Sequence, residues 1–120
     1  MEKKKKLISK AVDWIRSRGF GKIRANVDEF ETPTNYSAAF EEDVFVPDVT
    51  AVKRGKKSYV EIALKTDNIR RTISKWKLLS TLANRKGGKL FLLAPRGHKA
   101  FAERIVKTHH LRAKVVYLNG

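Results

Sequence analysis

The 120-residue chain has no cysteine, which removes both a disulfide framework and a thiolate metal site and fits a reducing, cytoplasmic setting. It also lacks any apolar run near the ~18 residues that a membrane helix needs. The basic opening Met1 to Lys6 leads into Leu7-Ile8-Ser9-Lys10 rather than an unbroken apolar stretch, so no signal peptide is expected. There is no glycine-rich phosphate loop, no Ser or Cys nucleophile elbow, and no His98, His109 or His110 spacing that would ligate a metal. Acid is scarce as well: 12 Asp and Glu stand against 27 Lys and Arg, a net charge of +15. Neither folding nor solubility requires such an excess, so a polyanionic partner is the economical explanation. The basic residues are spread through the whole chain rather than gathered on one amphipathic segment, which favours nucleic acid over a membrane surface.

What is present is enough for one modest core: 42% of the residues are hydrophobic, and the length suits a single domain over 1–120. Helical spacing predicts a first helix over Leu7 to Arg18, stopped by Gly19, with Lys3 to Lys6 as a frayed start or a basic arm. A short strand is expected at Ile23 to Val27, then a long irregular arm from Asp28 to Asp43. Val44 to Val52, interrupted at Pro47, and Ser58 to Leu64 read as a hairpin whose turn is Lys53-Arg54-Gly55-Lys56-Lys57. Asn68 to Lys86 is an amphipathic helix, capped at Asp67 or Asn68 and stopped by Gly87-Gly88. The apolar run in Lys89 to Ala94 suits a buried strand, Arg96 to His110 a helix, and Val115 to Leu118 a last strand. The order α-β-β-β-α-β-α-β, with a hairpin first and strand-helix alternation later, implies an α/β fold with a central mixed sheet flanked by helices.

Chemistry concentrates in Val46-Pro47-Asp48-Val49 and Tyr59-Val60-Glu61-Ile62-Ala63-Leu64-Lys65. Alternation along a strand puts Glu61, Ala63 and Lys65 on one face, and a break at Pro47, which lacks an N–H, can aim Asp48 toward Glu61. Two convergent carboxylates are what Mg²⁺ (or Mn²⁺) takes from a protein, alongside waters and substrate phosphate oxygens. A neighbouring lysine can orient the attacking water or offset charge building on the phosphate.

With Pro47-Asp48 and Glu61 on adjoining hairpin strands in an α-β-β-β-α-β order, the chain resembles the PD-(D/E)xK nuclease superfamily, which includes restriction endonucleases and Holliday junction resolvases. That resemblance covers the chain from the first helix to about Ala94 and implies a restriction endonuclease-like fold. It further implies Asp48 and Glu61 as Mg²⁺ ligands, with a lysine serving the water. The family pattern places that lysine two residues after the acid, where this chain has Ala63, so Lys65 becomes the substitute, two strand positions or about 7 Å further along the same face. Resolvase-like members also carry a metal-associated Glu on the first helix; here that place falls near Ser9 and Lys10, with Asp13 a turn away. Glu29, Glu41 or Glu42 of the arm could supply a third carboxylate.

Phosphate contacts are expected from the hairpin tip, Lys53, Arg54, Lys56 and Lys57, and from Arg70, Arg71, Lys75 and Lys77 of the amphipathic helix, where charges of nearly one sign would repel without an anionic partner. Each also has a plainer reading: a wet helix face, a basic turn, a solvated strand end at Lys65, or cross-strand pairs of Asp48 and Glu61 with Lys53, Arg54 or Lys57. Trp14 and Trp76 belong to the core, and Tyr36 and Phe40 to a mobile contact or lid. The expected function is a Mg-dependent nuclease-like domain acting on DNA, as a homodimer able to grip both strands. The alternatives are a non-catalytic nucleic-acid-binding domain with a degenerate nuclease site, and an adaptor for anionic membranes or acidic proteins.

Overall fold

A computed structural model describes residues 2–37 and 44–118. The first helix, α1 (Glu2–Ser17), buries Leu7, Ile8, Ala11, Val12 and Ile15 along one face. It begins five residues before the expected start, because Lys3 to Lys6 continue the helix and two of them find acids: Lys4 meets Asp48 and Lys5 meets Asp28 at 4.0 Å. Gly19, at φ +86°, ends it in a Schellman turn, its N–H donating to Arg16 and that of Phe20 to Ile15.

Five strands follow: β1 (Gly21–Ala25), β2 (Val49–Lys53), β3 (Lys56–Ile62), β4 (Leu90–Ala94) and β5 (Ala113–Tyr117), lying side by side in chain order. β1, β2 and β3 pair antiparallel, and β3, β4 and β5 parallel, giving the mixed sheet. The strand expected over Val44 to Val52 is split. Phe45 pairs only with Tyr36, and β2 starts at Val49, since Pro47 has no N–H to continue a ladder. α2 (Ile69–Arg85) is capped by the Asn68 side chain, which accepts from the Arg71 N–H, and α3 (Lys99–Thr108) precedes β5.

Successive side chains along β3 and the residue that follows it divide between two cores. Val60 and Ile62 pack with Val49, Ala51 and α1, whereas Tyr59 and Ala63 pack with Trp76, Leu79 and Ala83 of α2 and Ala102 and Ile105 of α3. The sheet is thus covered on both faces, and Glu61 shares the α2 side with Tyr59 and Ala63. Because β1, β3, β4 and β5 run the same way, their carboxyl ends meet at one edge of the sheet, as do the N-termini of all three helices. No helix among the described residues is long and apolar enough to cross a membrane.

Candidate metal centre and cationic cleft

Asp48 and Glu61 converge at this edge. The Asp48 N–H donates to Glu61 Oε2 at 2.7 Å, and the Ile62 N–H donates to Asp48 Oδ2 at 2.8 Å. Each acid is therefore oriented by the other's strand, and the break at Pro47 is what frees the Asp48 N–H from the ladder to reach a side chain. Both are buried, at 1% and 2% exposure, which rules out surface hairpin acids paired with Lys53, Arg54 or Lys57.

The remaining oxygen of each carboxylate meets a cation. Lys75 Nζ lies 2.8 Å from Glu61 Oε1, and Lys4 Nζ 3.2 Å from Asp48 Oδ1. The four side chains form one chain of charge from α1, around the end of the sheet, to α2. Burial, and then the neighbouring Asp48 charge, push the Glu61 carboxyl up to about 7 despite its hydrogen bonds. Burial pulls the Lys75 ammonium down, but the charges of Glu61 and Asp48 outweigh it and hold it above its usual value. Each carboxylate has one oxygen fixed by a backbone N–H and the other facing an ammonium, and these hard oxygens are the donors that could hold a divalent ion. Among the described residues they form a pair, not a larger ligand group. Glu29 is exposed beside Lys5, Lys6 and Ser9 in a separate depression, and Glu41 and Glu42 lie outside the described residues, as does Phe40.

Lys65 lines the same cleft as Glu61 but makes no ion pair with it. β3 ends at Ile62, and the chain leaves the sheet, so Lys65 is exposed at the rim, its N–H donating to His98 Nδ1 at 2.9 Å. The cation on Glu61 is Lys75. Its position was legible in part: Lys75 stands beside Trp76 and one turn before Leu79, on the border of the buried face. Lys4 could not be found this way, because its partner is 44 residues away in sequence and across the sheet. Burial and the charges of Lys65 and Lys3 hold the His98 imidazole below its usual value.

Beside Glu61 opens a cleft of about 450 Å³, with Glu61 and Trp76 in its lining and Lys4, Lys65, Arg71 and Lys75 around them; Asp48 is not part of that lining. Neither α2 nor α3 carries an acid in its first turn, so helix N-termini add to the positive field at this end. The expected phosphate contacts are not one surface. Arg71 and Lys75 line the cleft, and Arg70 and Lys77 are exposed elsewhere on α2, but the hairpin tip sits at the opposite end of β3. Two tip lysines also serve the fold: Lys53 Nζ donates to Arg18 O at the end of α1, and Lys57 Nζ donates to the Tyr36 hydroxyl at 2.7 Å. Tyr36, expected as a lid, packs edge-on against Tyr59. No protein-family model, no curated protein and no solved structure matches this chain.

Proposed function

We propose that the protein is a metal-dependent nuclease of restriction endonuclease-like fold that hydrolyses phosphodiester bonds in DNA, with Asp48 and Glu61 as the ligands of Mg²⁺ or Mn²⁺. The observation that carries it is the interlocked, buried Asp48–Glu61 pair with Lys75 on Glu61, of which Glu61 lines a basic cleft and Asp48 lies buried behind it. Two adjacent buried acids are costly to a fold, and apolar residues of similar size would serve stability as well or better, so such pairs mark working sites. The carboxyl ends of parallel strands are also where open α/β sheets receive ligands.

Asp48 and Glu61 would hold the divalent ion, which would supply Lewis-acid polarisation of a phosphoryl oxygen and lower the pKa of a bound water. Lys75, rather than Lys65, is the cation positioned to orient the attacking water and offset charge on the phosphorus centre. Water oxygen bonds to phosphorus and gives up a proton to solvent, the ester P–O bond breaks, and the departing oxygen takes up a proton from solvent. Arg71 and Lys65 at the cleft wall hold the flanking phosphates. The test is incubation of the purified protein with branched, duplex and single-stranded DNA in Mg²⁺ and Mn²⁺. Cleavage is expected, and Asp48→Ala should lower it at least about a hundredfold while binding persists. Intact DNA under every condition overturns the proposal.

A second reading has one observation in its favour: Lys4 and Lys75 already balance both acids, so the cluster is closed in charge without a metal. A non-catalytic binding domain would show salt-sensitive nucleic-acid affinity that metal leaves unchanged.

A further inference from the structure

We infer that Lys4 is an internal stand-in for the metal ion at Asp48, and that it exchanges Asp48 for a phosphate of the bound strand when a divalent ion arrives. The inference rests on the metal reading above. Asp48 Oδ2 is committed to the Ile62 N–H, which leaves Oδ1 as the oxygen turned toward a cation, and Lys4 Nζ lies 3.2 Å from it. The ammonium thus occupies the approach that an inner-sphere ion would use.

Charge balance favours an exchange. With Glu61 ionised, two carboxylates and two ammoniums sum to zero, and a divalent ion added to them leaves an excess of two in a buried site. Withdrawal of one ammonium halves that excess, and the two are not equivalent. The Lys75 side chain is 16% exposed and paired with the buried Glu61, whereas that of Lys4 is 44% exposed, on the first turn of α1. Lys4 leaves, and it has somewhere to go: it already lines the cleft with Lys65 and Arg71, where a phosphate of the scissile strand would lie. Metal and nucleic acid then bind with positive coupling, since each makes Lys4 available to the other's benefit.

Calorimetric titration of the full chain with Mn²⁺ alone, in wild type and Lys4→Met, tests the first half. The substitution should tighten Mn²⁺ binding by about fivefold, the weight of a half-exposed ion pair. Salt titration of DNA binding tests the second half, with EDTA or with Ca²⁺ to bind the site without cutting. Lys4→Met should reduce the slope of log affinity on log salt by about one, and only with Ca²⁺ present. Lys4→Arg should retain the wild-type slope. Melting in EDTA verifies that Lys4→Met folds. Equal Mn²⁺ affinity in the two proteins, or a slope change that ignores Ca²⁺, overturns the role of Lys4 and leaves the metal site standing. Absence of Mn²⁺ binding to either protein removes both.

Discussion

Glu61 is the residue on which most of the proposed chemistry turns. Its carboxyl, held up to about 7, binds a proton in the native protein between about pH 4.5 and 7, where the unfolded chain has already lost it. The native state holds more protons in that window, so stability falls as pH rises through it, by on the order of 3 kcal/mol for a shift of this size. Urea unfolding in EDTA from pH 4.5 to 7.5 should show this decline, and Glu61→Gln should lack it. A carboxyl resonance of Glu61 titrating near its ordinary value would refute the assignment. Lys75→Met leaves Glu61 buried with one cation fewer, which should cost about 3 kcal/mol at pH 8. The cost should shrink at pH 5, where Glu61 is protonated and needs no partner. Equal losses at the two pH values would mean that Lys75 acts through packing alone.

The elements show what sequence can and cannot reveal. Helices and strands were legible in order and kind, because the apolar periods of Ile69–Arg85 and the buried run Leu90–Ala94 are set by burial itself. The convergence of Asp48 with Glu61 was legible too, since Pro47 forces the break that turns Asp48 inward. Lys75 over Lys65 was not, because the choice depends on where β3 ends and how α2 lies on the sheet. The same limit hid the separation of the hairpin tip from the cleft. That hairpin is closed by Arg54 and Gly55, both at positive φ (53° and 76°), so Gly55→Ala should lose about 1 kcal/mol to backbone strain alone. Gly88 is under a harsher constraint, as a Cβ there would lie 1.7 Å from the Lys57 carbonyl oxygen. Gly88→Ala has to part the entry to β4 from β3, and its loss should exceed about 2 kcal/mol in thermal or urea unfolding. A loss no greater than that of Gly55→Ala would contradict the close strand approach.

For the whole molecule, the proposed DNA binding draws its affinity from the net charge of +15 and its orientation from how that charge is distributed. Lys65 stands at the cleft and Arg54 at the far end of the hairpin. Lys65→Glu should therefore weaken DNA binding by about tenfold at moderate salt, and Arg54→Glu by clearly less, in a fluorescence anisotropy titration. A larger effect at Arg54 would move the nucleic acid to the hairpin and away from the carboxylates. The most direct measurement of the central claim is an anomalous difference map from crystals soaked in Mn²⁺. A peak bonded to Asp48 Oδ1 and a Glu61 oxygen, with Lys75 retained beside it, is the expected result. Asp48 still paired with Lys4 and no density between the two acids at saturating Mn²⁺ would contradict it.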